Sequence, residues 1–96
     1  MPTFRALPRF LRDYARLSDE QVRQWKRALR VFVHGLQEGS LSPGLRVKRV
    51  QGHPGVWELS WAPDGRATFT YGDEIRPGDP HVIWRRIGTH DIFRRP

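Results

Sequence analysis

Between Val22 and Leu36 the apolar positions Val22, Trp25, Leu29, Phe32 and Leu36 are separated by threes and fours, which gathers them into one stripe along a helix. The segment SDEQ, Ser18 to Gln21, gives this helix its start. The Ser18 hydroxyl can accept an otherwise unpaired backbone N–H, and Asp19 and Glu20 suit the positive end of the helix. Gly39 provides a left-handed stop. Upstream, Phe10, Leu11, Tyr14 and Leu17 repeat at helical spacing and predict a shorter helix over Arg9–Leu17. Thr3–Leu7, bounded by Pro2 and Pro8, reads as an edge strand, where a flanking proline is tolerated.

After the turn SPG at Ser42–Gly44 the period changes from helical to alternating. Leu45–Val50, Val56–Ala62, Arg66–Tyr71 and His81–Ile87 read as four strands. The first two connections carry GHPG and PDG; the third is longer and holds Gly72, Pro77, Gly78 and Pro80. Short connections imply an antiparallel meander. A chain of 96 residues supports one core, so residues 1–96 are expected to form a single α+β domain with both helices on one face of the sheet.

Alternation then sorts the side chains. Leu45, Val47, Trp57, Leu59, Trp61, Ala67, Phe69 and Tyr71 form the apolar set that should meet the helices. The opposite set holds Arg46, Lys48, Glu58, Ser60, Arg66, Thr68 and Thr70, so three successive strands place ionisable groups on the uncovered face. A wet sheet face alone accounts for Ser60, Thr68 and Thr70. Arg46, Lys48 and Arg66 are cations close enough in register to bind phosphates, with Glu58 either their counter-ion or a base.

Charge sharpens this picture. Seventeen Lys and Arg against ten Asp and Glu give a net charge of +7, a field that favours polyanionic partners and equally serves solubility. No cysteine is present, which excludes disulfides and thiolate chemistry. No apolar run approaches the length of a membrane span, so the chain reads as a soluble cytoplasmic protein without membrane attachment. His34, His53 and His81 have no carboxylate or second histidine at ligand spacing, and no metal site is expected. His90, in the closing stretch RIGTHDIFRRP, follows the last strand and can reach the rim of the polar face, where an imidazole is equipped for proton transfer.

The stretches GLRVKRVQGHPGVWELSW, GRATFTYG and WRRIGTHDIF, in this order and spacing, resemble the RelE/ParE superfamily of bacterial toxin–antitoxin toxins, RelE/YafQ-like members above all. The resemblance runs over nearly the whole chain. It implies a small curved antiparallel sheet with two N-terminal helices packed on one face. It also implies a type II toxin that cuts messenger RNA on the ribosome without metal or other cofactor, inhibiting translation until a cognate antitoxin silences it. By the same resemblance Arg66 contacts the scissile phosphate, His90 is the general acid and Phe93 stacks on a base. Lys48 lies where relatives carry a basic or histidine side chain. Glu58 and Ser60 stand where the founding RelE proteins have lysines, which shifts the expected chemistry toward Glu/His acid–base catalysis.

Such a cleavage needs a base for the RNA 2′-hydroxyl, an acid for the leaving oxygen and a cation on the phosphate. Glu58 (or Lys48), His90 and Arg66 can supply them, with Arg46, Lys48, Arg86 and Phe93 holding the RNA. Two other functions fit the same residues: a ParE-like protein that inhibits DNA gyrase by binding, and a nucleic-acid-binding module without chemistry.

Overall fold

The computed structural model describes residues 1–96. Its elements are β1 (Thr3–Ala6), α1 (Pro8–Tyr14), α2 (Asp19–Glu38), β2 (Lys48–Arg49), β3 (Trp57–Ala62), β4 (Gly65–Gly72) and β5 (His81–Gly88), with 3-10 turns at Pro43–Leu45 and His90–Arg94. The capping box forms: the Ser18 hydroxyl accepts the Gln21 N–H at 3.1 Å and the Gln21 side chain accepts the Ser18 N–H at 2.8 Å. Gly39 ends α2 at φ 75°, a conformation that costs a residue without Cβ little.

The five strands are ordered β1-β5-β4-β3-β2. β2 to β5 form the antiparallel meander. β1 departs from the all-antiparallel expectation, because it pairs in parallel with β5, Thr3 opposite His81 through Ala6 opposite Trp84. Short connections govern only consecutive strands; β1 is carried to the far edge by the two helices that follow it, and the sheet is mixed. The α+β class and the placement of both helices against one face stand.

The core is aromatic. Trp25 meets Trp84 edge-on with ring centroids 5.0 Å apart, Phe32 meets Phe69 at 5.2 Å, and Phe10 stacks near Trp84 at 6.0 Å. The buried line of α2 runs through Trp25, Ala28, Phe32 and Gly35, with Leu29 and Leu36 on its flank. Leu59, Trp61, Ala67 and Phe69 point into this core from β3 and β4, as alternation requires.

Two details depart from simple alternation. Thr68 pairs with Arg86 but Phe69 pairs with Trp84, so Arg85 is an extra residue in β5. This bulge lets Trp84 and Ile87, three apart, both reach the core. The strand expected over Leu45–Val50 shrinks to Lys48–Arg49, because Leu45 belongs to a 3-10 turn and Arg46 follows in the left-handed region at φ 51°. Arg46 is therefore not on the polar sheet face.

Candidate RNA-cleavage site

The sheet face turned away from the helices carries two rows. Lys48, Glu58, Thr68 and Arg86 are successive Cα partners across β2, β3, β4 and β5. Ser60, Arg66 and Gly88 form the next row, about 7 Å along the strands. The face is not bare. After β5 the Thr89 hydroxyl accepts the Asp91 N–H, and the tail turns back over the sheet as the His90–Arg94 3-10 turn. Ile92 is buried against Gly88, where an added Cβ would stand 3.0 Å from the Ile92 Cγ2. The Pro96 carbonyl accepts from Arg85 Nε at 3.0 Å and from Thr68 Oγ1 at 3.4 Å. Thr68 is consequently fully buried, and the tail covers part of the face formed by β4 and β5.

The expected site residues divide into three groups. Glu58 and Lys48 sit opposite each other, with the Lys48 Nζ 4.0 Å from a Glu58 carboxylate oxygen. The lysine is exposed while the Glu58 side chain keeps only 11% of its surface, so the carboxylate is held and the ammonium is free to move. Arg66 is anchored through one nitrogen: its Nη1 donates to the carbonyls of Gly65, Ala62 and Pro63 at 2.8, 3.2 and 3.2 Å. Its Nε and Nη2 make no hydrogen bond within the protein, and that edge is the fork that matches two phosphate oxygens. His90 is exposed and two residues beyond Gly88, the partner of Arg66, and its ring meets the half-buried Phe93 edge-on at 5.4 Å.

Two expected RNA contacts lie elsewhere. Arg86 has the right Cα register, but its guanidinium reaches round the sheet edge to Asp13 of α1, with Nε–Oδ2 2.6 Å and Nη2–Oδ1 3.1 Å. Its Nη1 donates to the Arg95 carbonyl. Arg46 lines a groove between α2, the Pro43–Leu45 turn and the part of β3 beyond its pairing with β2. Alternation did not reveal Arg85, whose Nε secures the tail. The signal was the apolar spacing in β5, where the step of two from Val82 to Trp84 is followed by a step of three to Ile87. No three His, Asp or Glu side chains come together in a way that could hold a metal ion.

No family model matches the chain, and no curated protein matches it. Solved structures do. The toxin–antitoxin complex DinJ–YafQ of E. coli aligns over 94% of this chain and 93% of its own, with TM-score 0.71 and 14% identity. A metal-bound toxin from Helicobacter pylori aligns over 95% and 97%, with TM-score 0.63 and 16% identity. The RelB–RelE antitoxin–toxin complex of Methanococcus jannaschii aligns over 94% of each chain, with TM-score 0.61 and 16% identity. At these identities the likeness lies in the course of the backbone, end to end: the chain has the fold of the YafQ and RelE toxins.

Proposed function

We propose that this protein is the toxin of a type II toxin–antitoxin pair and that it inhibits translation as a ribosome-dependent mRNA endoribonuclease needing no metal. The observation that carries the reading is Arg66: one nitrogen fixed by three carbonyls and a vacant guanidinium fork, on a strand whose partner Gly88 lies two residues before His90 and on a face that also holds the Glu58 carboxylate. A guanidinium fixed before the substrate arrives stabilises developing charge without reorganising.

In the reaction Glu58 takes the proton from an RNA 2′-hydroxyl, with the Lys48 ammonium beside it as counter-ion. The 2′-oxygen forms a bond to the adjacent phosphorus while the bond from phosphorus to the 5′-oxygen breaks. Arg66 holds the two non-bridging oxygens, and His90 delivers a proton to the departing 5′-oxygen. The products are a 2′,3′-cyclic phosphate and a 5′-hydroxyl. Phe93, already packed on the His90 ring, offers its remaining surface to a base. Structures whose names pair a toxin with an antitoxin support a cognate antitoxin as the partner of this chain.

Induced expression tests the reading. The parent protein should arrest growth and Arg66→Ala and His90→Ala should not, although both remain folded and soluble. Equal toxicity of the parent and both variants would remove these two residues from the site.

A further inference from the structure

Three features that are unfavourable in isolation meet in the groove between α2 and the part of β3 beyond its pairing with β2. It encloses about 520 Å3 and is lined by Arg27, Arg46 and Arg66 with no carboxylate among its residues, so three cations share it without a counter-ion. Trp61 forms part of the wall and is 7% exposed, yet its indole N–H is the one buried side-chain polar atom without a hydrogen-bond partner. Arg46 holds a left-handed backbone at φ 51°, the only non-glycine residue to do so. Such strain collects at ligand clamps. An anion bound in the groove would relieve the first of these at once.

We infer that this groove is a second phosphate subsite, which takes the nucleotide next to the cleaved bond in the RNA strand. Arg27 and Arg46 hold its phosphate, and Ala28, Val31, Leu45 and the Trp61 side chain supply an apolar wall for its sugar or base. An RNA strand fits better than an acidic peptide because Arg66 and Ser60 belong both to the groove and to the polar row of the sheet. A chain of regularly spaced phosphates leaving the Arg66 fork therefore has a continuous cationic path into it. The inference rests on the reading that the sheet face receives RNA.

The test follows the Trp61 indole N–H signal by NMR, assigned with Trp61→Phe, as a 5′-phosphorylated trinucleotide with 2′-O-methyl groups, which cannot be cleaved, is added to the whole protein. The signal should move in the parent and in His90→Ala. Arg27→Gln and Arg46→Gln should each weaken the binding about five- to tenfold. Arg27 is exposed on a helix, so its replacement tests the groove even if Arg46→Gln disturbs the turn. A signal that stays still, titrates alike in both glutamine variants and the parent, or responds to an Asp/Glu-rich peptide and not to the trinucleotide would overturn the subsite. Messages cut by the parent with an unmoved Trp61 signal would sink the groove alone. A moving signal without cleavage would sink the nuclease reading and leave the groove.

Discussion

The Asp13 carboxylate binds the Arg86 guanidinium at 2.6 and 3.1 Å and, through the same Oδ2, accepts the Ile87 backbone N–H at 3.2 Å. β1 ends at Ala6, opposite Trp84, so β5 loses its neighbour on that side just before Ile87. Asp13 replaces the missing strand there and adds hydrogen bonds to the Phe10–Trp84 packing that holds α1 on the sheet. Replacing Asp13 by Ala should lower the unfolding free energy by about 2–3 kcal/mol, because it strands a half-buried guanidinium and an edge donor together. Asp13→Asn keeps an acceptor and should cost about half as much. Urea titration of the two variants measures the difference, and hydrogen exchange should rise first at Ile87.

The Trp61 ring lies directly on Gly65. A Cβ built there would approach three ring atoms to 2.6–2.8 Å, closer than real contacts allow. Gly65→Ala should therefore cost about 1–3 kcal/mol and displace the indole. Thermal unfolding and near-ultraviolet circular dichroism would register the two effects separately.

Arg46 stands where a glycine would be unstrained. Arg46→Gly should raise stability by about 0.5–1 kcal/mol, since relief of the left-handed strain exceeds the chain entropy that a glycine adds. The same change should weaken RNA binding. A variant that is both more stable and a poorer binder would mark Arg46 as retained for its side chain.

Arg85 makes the shorter of the two hydrogen bonds to the last carbonyl of the tail. Arg85→Ala removes its 3.0 Å bond to the Pro96 carbonyl, whereas Thr68→Val removes only the 3.4 Å one. Amide exchange across residues 90–95 should accelerate in the first variant and change little in the second. Activity should fall in the same order if the docked tail positions His90.

Much of this arrangement was legible in the residues, and the exceptions share a cause. Ser18, Gln21 and Gly39 bound α2 through local hydrogen bonds and backbone conformation, which sequence encodes directly. Leu59, Ala67 and Phe69 obey alternation, and Trp61 does so as well although the register of β3 on β4 shifts by one residue between Ser60 and Ala62. The parallel docking of β1 on β5 is a contact between the two ends of the chain, and no local pattern near Thr3 announces it. Arg86 looked like one more free cation until its reach to Asp13, 73 residues earlier, was set by the end of β1. The alternation of LRVKRV predicts a strand at Arg46, whereas the preceding SPG turn extends one residue further than its letters suggest. The tail's cover of the sheet was not readable, since its anchors, Arg85 and Thr68, become neighbours only through the bulge in β5.

The ends left in messages exposed to the protein during translation give the most direct test of the nuclease chemistry. Purified protein added to ribosomes translating a defined message should produce new breaks inside the reading frame, each with a 2′,3′-cyclic phosphate on one side and a 5′-hydroxyl on the other. Arg66→Ala and His90→Ala should lower the yield of breaks by at least about a hundredfold, the scale of losing a positioned acid or a charge-stabilising donor. Intact messages, or breaks ending in a 3′-hydroxyl and a 5′-phosphate, would contradict it.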